Sequence, residues 1–468
     1  MPSIISFLAQ SFIPFYNELM DRVILHCDMN NFFASVELLE HPELRDVPVA
    51  VCGDPESRHG IIVAKNEPAK KLGIKTAETL WQARKKCPDL ILIPPHHEKY
   101  RAMSVRLNQI YQEYTDMVEP FSVDESWLDV TGSQRLFGSG REIADRIRAR
   151  VREELGLTLS AGVSFNKIFA KMGSEYKKPD ATTEITRENY KDLLWPLPVS
   201  ELFFCGFSTS QKLNDIGIVT IGDLALANPA SLEKLLGKQG PLLRTYARGE
   251  DDSPVRLFNQ RDKIKSVGNG FTFRRDLLGE QDILAGITSL CDTVAGRLRK
   301  YQLKAYGVKV DIKDPSLKTI TRQKQLDRPV NLSSDIKAAA MDIIRQSWRM
   351  SDPIRLLTVT AINLVGETED EQLSLFDALA GLSPAPDTQS SASGSSVPGS
   401  ASGSALGTAA RAGFPPGSPS ALSPVLDDPA RREAAESMER AMDEIRKKYG
   451  SSSIGYGAAL GSDSGIDL

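Results

Sequence analysis

Apolar residues along this chain repeat at two different periods, and the changes of period divide it into elements. The run Val23-Ile24-Leu25-His26-Cys27 is mostly apolar and β-compatible, ends on Asp28, and is followed by Asn30-Asn31, which stop strands. It predicts a buried strand with a charge at its tip. A helix is expected over 32–40, then strands over 47–53 and 61–64. Leu107, Ile110, Tyr111 and Tyr114 stripe one further helix, and Ile143, Ile147, Val151 and Leu155 stripe another. Between them Phe121-Ser122-Val123-Asp124-Glu125-Ser126-Trp127-Leu128-Asp129 reads as a hairpin, and 157–165 adds a strand. The whole predicts a mixed sheet backed by helices, with both carboxylate segments on its exposed side.

From 189 to 252 the pattern turns helical, with Gly206 and Gly217 bracketing a helix and Cys205-Gly206-Phe207 in place of a full Gly-x-Gly turn. This resembles a helix-hairpin-helix unit, whose turns present backbone amides to a DNA phosphate. After Asp251-Asp252-Ser253-Pro254 a β-rich segment begins and ends near Val365; in it Val308-Lys309-Val310-Asp311-Ile312-Lys313 alternates packed and charged positions. Beyond it, Gln372-Leu373-Ser374-Leu375-Phe376 precedes a Ser/Ala/Gly/Pro tract over 381–426 that cannot bury a core and is expected to be disordered. The pentad at its edge reads as a short peptide ligand. Residues 429–449 predict an amphipathic helix with Met438, Met442, Ile445 and Tyr449 on one face.

At 468 residues the chain exceeds a single core and divides into several domains. Its 41% hydrophobic content suits a soluble protein. No run approaches the roughly 18 apolar residues of a membrane span, and the apolar start lacks the basic region and cleavage site of a signal peptide, so a cytoplasmic location is expected. Residues 1–20 read as an extension ahead of the first strand. Five scattered cysteines without a Cys-x-x-Cys pair read as reduced thiols. The net charge of −4 argues against nucleic acid only until it is resolved along the chain: residues 1–366 carry 50 Lys and Arg against 46 Asp and Glu, and 261–330 carry 15 against 8. A backbone-binding basic sheet is therefore expected there.

The chemistry centres on three acids. A lone Asp at a strand end is ordinarily a cap, and an Asp-Glu pair ordinarily faces solvent; their combination with a strand tip and a turn favours a shared metal centre. Adjacent strand residues point to opposite faces, so Asp124 and Glu125 can reach one metal pair only from a turn or bulge. Oxygen-only donors favour Mg²⁺, with Mn²⁺ possible, over zinc. Directly after Asp28, an Asn is placed to cap a helix whose first amides face the metal, a cradle for phosphate.

With these pieces placed, the chain resembles the Y-family DNA polymerases, in the bacterial DNA polymerase IV and UmuC-like branch, over about residues 21–376. The segments 24–37, 122–129 and 162–171 carry the resemblance, and Lys265-Ser266-Val267-Gly268 looks like the entry into the family's little finger. The resemblance implies an α+β, multidomain right-hand polymerase: a mixed-sheet palm (21–31 and 98–185), small fingers (32–97), a helix-hairpin-helix thumb (186–252), a linker (253–263) and a βαββαβ-type little finger (264–366). A clamp-binding peptide (372–376), a disordered tail (377–428) and the short helix 429–449 follow. It implies error-prone translesion synthesis without proofreading, by a monomer acting on primer-template DNA and deoxynucleotides and recruited by the sliding clamp through Gln372, Leu373, Leu375 and Phe376. Asp28, Asp124 and Glu125, with Met29, would hold two Mg²⁺; Glu125 would lie nearest the attacking hydroxyl. Asn31, Phe32, Phe33, Lys70 and Lys178 would bind nucleotide, with Phe33 as the sugar gate, and Gly206, Lys265, Ser266 and Arg274 would contact DNA.

The chain departs from the family in two places. Asn30 replaces an acid often found two residues after the first metal Asp. In the fingers, Asn66-Glu67-Pro68-Ala69-Lys70 places Glu67 where the family commonly has Tyr and Lys70 where it has Arg, a point charge without the fork of a guanidinium; Lys65 is an alternative phosphate contact. The altered contact leaves open a catalytically silent relative that binds only DNA and clamp. Another palm-type nucleotidyl transferase is disfavoured by the thumb-like and basic segments.

Overall fold

The computed structural model describes residues 21–53, 60–260, 262–367, 429–450 and 453–456. The chain divides at 262/263 into two compact units. In the first, β1 (Ile24–Met29) is followed by α1 (Phe32–Glu37), β2 (Val49–Cys52), β3 (Ile62–Lys65), α2 (Glu67–Lys71), α3 (Leu80–Lys86), β4 (Ile91–Ile93) and α4 (His97–Gln112). Then come β5 (Val118–Pro120), β6 (Glu125–Asp129), α5 (Gly140–Leu155), β7 (Leu159–Ser164), α6 (Lys167–Tyr176) and β8 (Thr182–Ile185). The main sheet has the order β5-β6-β1-β7-β8, and β3-β2-β4 form a separate small sheet. β1 runs antiparallel to both β6 and β7, with Asp28 opposite Glu125 and His26 opposite Trp127 and Gly162.

Alternation along the central strand sorts its side chains. Leu25, Cys27 and Met29 join the core formed with Tyr100, Leu107, Ile143 and Ile147 of α4 and α5. Ile24, His26 and Asp28 face the other way, toward α6, where Ile24 packs on Trp127 and Ala170. That second face is covered. The expectation of carboxylates on an exposed face is therefore corrected: Asp28 is only 4% exposed. The cause is Gly162. A Cβ there would stand 1.9 Å from the Ala170 carbonyl oxygen and 2.5 Å from the Ser174 amide nitrogen, so only a glycine lets the α6 backbone lie directly on β7. Asn166 starts this helix by accepting from the Phe169 amide at 2.8 Å, and the Trp127 indole donates to the Lys167 carbonyl at 2.9 Å.

The first unit ends in short helices, α7 (Phe207–Asn214), α8 (Ile221–Leu226), α9 (Pro229–Leu236) and α10 (Gln239–Ala247), around Leu213, Ile221, Leu224, Leu232 and Leu243.

The second unit has the order β9 (Ser266–Leu277), α11 (Gly279–Lys300), β10 (Leu303–Lys313), β11 (Thr319–Val330), α12 (Ser333–Ser347) and β12 (Ile354–Gly366), a βαββαβ arrangement with the antiparallel sheet order β11-β10-β12-β9. Val308, Val310 and Ile312 point into the core under the two helices. Lys309, Asp311 and Lys313 take the alternate positions and remain only partly buried, as their spacing predicts. The C-terminal helix α13 (Pro429–Tyr449) packs on this unit. The apolar stripe read from the sequence is not what holds it. Met438 and Tyr449 are exposed while Glu439 and Met442 are buried. Arg299 of α11 pairs with Glu439 and with Asp443 at 2.7 Å, Arg446 pairs with Asp292 at 2.6 Å, and Glu439 accepts from the Ser333 amide at 3.0 Å. This polar seam is not readable from periodicity, because ion pairs between distant segments leave no period. The pentad 372–376 and the tract 377–428 lie outside the described residues, as do residues 1–20.

Candidate active site

Asp28 stands near the end of β1, and the Phe121–Asp124 turn leads into β6 so that Glu125 is its first residue. The turn is closed by Phe121 and Ser122 amides donating to the Glu125 carbonyl at 2.9 and 3.2 Å, and the Met29 amide donates to the Asp124 carbonyl at 3.1 Å. One ligand atom each from His26, Asp28 and Glu125 lies within 4.8 Å of the others. Asp124 stands outside that trio; its carboxylate accepts from the Ser122 hydroxyl at 2.5 Å. The Met29 side chain lies in the core, which leaves only its backbone for a cation.

Two lysines balance the acids. Lys171 Nζ is 2.7 Å from Glu125 Oε2, 3.3 Å from Asp28 Oδ2 and 3.2 Å from Glu175, and Lys178 Nζ is 2.8 Å from Asp28 Oδ1 and 2.9 Å from Glu175. Burial dominates at Asp28 and raises its carboxyl to about 7 despite both lysines. Burial also raises Asp124. At Glu125 burial acts the same way, but the His26 ring and the Lys171 ammonium outweigh it and hold the carboxyl at about 2. His26, fully buried, is pushed down to about 4. The result is a buried, oxygen-rich cluster whose least solvated carboxylate stands to gain most from a cation.

Beside it, Asn31 takes a left-handed conformation at the start of α1 with φ 51°. It does not cap through its side chain as expected; Nδ2 instead donates to Glu67 Oε1 at 2.9 Å, which also lies 3.5 Å from Lys70 Nζ. Lys65 donates to Thr76 at 3.0 Å, and burial lowers its pKa. Phe32 is core, so its side chain is not available to a nucleotide. Phe33 is half-buried and stacks on Tyr100, with ring centroids 4.0 Å apart and planes 9° apart. The Tyr100 hydroxyl donates to buried Glu37, which His96 also contacts at 3.0 Å. Gly206 precedes α7 and is exposed in the first unit. Lys265, Ser266 and Arg274 are exposed at or near β9 in the second unit.

Sequence reasoning missed His26 and Lys171. The signal for His26 was present: it stands two residues before Asp28 on one strand and so shares its face. Lys171 could not be read that way, since its approach depends on how α6 sits on the sheet.

The impB/mucB/samB family pattern matches residues 27–175, and that family's C-terminal domain matches 264–375. DNA polymerase IV of Acetivibrio thermocellus is 49% identical over 357 residues, covering 76% of this chain and 90% of that protein. DNA polymerase IV 1 of Bacillus subtilis is 39% identical over 359 residues, covering 76% and 85%. A solved Y-family DNA polymerase chimera of Dbh and Dpo4 superposes with a TM-score of 0.66 at 24% identity, covering 73% of this chain and 99% of that one.

Proposed function

The chain belongs to the impB/mucB/samB family of Y-family, DNA polymerase IV-like enzymes, and from that premise we propose that Asp28, Asp124 and Glu125 form its catalytic centre. It is a DNA-directed DNA polymerase of translesion synthesis, with the multidomain α+β architecture of a right-hand polymerase. The observation that carries the reading is the convergence of Asp28 and Glu125 from neighbouring strands into a buried cluster. A carboxylate raised to about 7 by burial fits a divalent cation, and all-carboxylate oxygen donors fit Mg²⁺ or Mn²⁺. Asp28, Asp124 and Glu125, with the Met29 backbone, would hold two such ions, which when bound supply Lewis acidity to the primer hydroxyl and the transferring phosphate.

The chain's own groups do the rest. Lys178, paired with Asp28 and Glu175, offers an ammonium to the triphosphate, and Lys70 and Lys65 offer further point charges. The Asn31–Glu67 contact holds the two segments of the nucleotide side together. The small three-stranded sheet and its helices (32–97) act as fingers, 21–31 with 98–185 as palm, 186–252 as thumb and 264–366 as little finger, with Gly206, Lys265, Ser266 and Arg274 on DNA. Phe33, braced by Tyr100, is the sugar gate.

Primer extension by the full chain with Mg²⁺ and paired deoxy- and ribonucleotides tests this reading. Templated product from deoxynucleotides is expected, and Phe33→Ala raises ribonucleotide insertion by about 10²-fold. DNA binding without extension would favour the silent relative; unchanged sugar selection would remove the gate assignment. We also assign 372–376 to sliding-clamp binding. Leu375→Ala with Phe376→Ala is expected to abolish clamp pull-down and leave unstimulated extension intact; clamp capture by that double variant would place the site elsewhere.

A further inference from the structure

Of the trio His26, Asp28 and Glu125, His26 is the member to which the reaction assigns no role. It shares the face of β1 that carries Asp28, and the seating of α6 on Gly162, directly opposite His26 in the sheet, brings Ser174 against its ring. The ring is fully buried and sits edge-on to Trp127 at 5.2 Å. Nδ1 is 2.8 Å from the Ser174 hydroxyl, and Nε2 is 3.3 Å from Glu125 Oε2 without an aligned hydrogen bond. A carboxylate only accepts, so the tautomer that serves both nitrogens carries its proton on Nε2. Nδ1 then accepts the single Ser174 hydroxyl proton, which would otherwise go to the Lys171 carbonyl at 2.7 Å.

Among the described residues, both contacts to the Glu125 carboxylate, from His26 and from Lys171, fall on Oε2. We propose that His26, anchored by Ser174, is a positioning residue that holds Glu125 by Oε2 from inside the fold and leaves Oε1 turned out for a divalent cation. This rests on the reading of Glu125 as a cation ligand. Groups that orient a metal-binding side chain typically govern metal affinity by about 10- to 100-fold. A histidine that only filled space would leave that affinity alone once the chain is folded.

The test is Mn²⁺ binding to the full chain, followed by electron paramagnetic resonance titration, together with the Mg²⁺ dependence of primer extension. His26→Phe is expected to raise the Mn²⁺ Kd and the half-saturating Mg²⁺ by about tenfold, with the nucleotide KM at saturating Mg²⁺ unchanged. His26→Gln, which restores an N–H at the end of the side chain, recovers most of the loss. Should His26→Phe fail to fold, Ser174→Ala, which removes the anchor and keeps the ring, is expected to shift both curves in the same direction. Curves superimposed on those of the wild type, while Glu125→Gln weakens Mn²⁺, would overturn the positioning role and leave the centre standing. Mn²⁺ affinity unchanged in Glu125→Gln would overturn the reading of the centre itself.

Discussion

Asp28→Asn and Glu125→Gln are each expected to lower the rate of templated nucleotide addition by about 10³-fold or more. Each replacement removes a charge from the cluster proposed above to hold divalent cations, and a Lewis-acid contribution of several kcal/mol, at about 1.4 kcal/mol per tenfold, corresponds to that loss. The two variants differ in stability. Burial already raises the Asp28 carboxyl to about 7, so an amide there relieves a costly ionisation even as Lys178 keeps Glu175 as partner. Glu125 holds its charge firmly, at about 2, so Glu125→Gln strips Lys171 of its closest acid and the stabilisation that came with it. The sign follows from linkage: the pKa of Glu125 is depressed in the fold, so its contribution is present above the ordinary carboxylate range and is lost as pH falls toward 2. Single-turnover extension and calorimetry read both effects. Extension within tenfold of wild type in either variant would remove these acids from the reaction.

Gly162→Ala is expected to cost about 3 kcal/mol or more, as overpacking against backbone does. The added methyl would meet the Ala170 carbonyl, the Ser174 amide and the Gly173 carbonyl carbon at 1.9, 2.5 and 2.8 Å, none of which is a flexible side-chain tip. For a unit of this size that amounts to a fall in Tm of about 6–12 °C. Extension should fall with it, because lifting α6 withdraws Lys171 and Ser174 from Glu125 and His26. A calorimetric Tm equal to that of wild type would show that the helix does not depend on this seat.

Much of the architecture was legible because it rests on local periods. The run ending at Asp28, the stripes on α4 and α5 and the alternation of β10 each follow from side chains sorting between core and solvent. The turn before Glu125 was legible for a geometric reason, since no regular strand could aim two adjacent acids at one place. What escaped was set by close approach between segments distant in sequence. The contact of Gly162 with α6 buried a face that alternation alone left open, and it brought Lys171 and Ser174 to the acids. The seam of Arg299, Glu439 and Asp443 escaped for the same reason: charged residues on an amphipathic helix ordinarily face water, and only the tertiary partner reveals that these do not. Asn31 was placed correctly at a helix start, but Glu67, a residue of another segment, claimed its side chain.

Lys171 and Lys178 have a consequence for how the centre is maintained. Their ammonium groups act as built-in counterions to Asp28, Glu125 and Glu175, so mutual repulsion among the acids is met by the polypeptide itself. Small domains that fold only around a metal unfold when a chelator removes it. Here the acids stay gathered by covalently attached cations, so sequestering divalent ions should silence the enzyme reversibly and leave its scaffold ready for reloading.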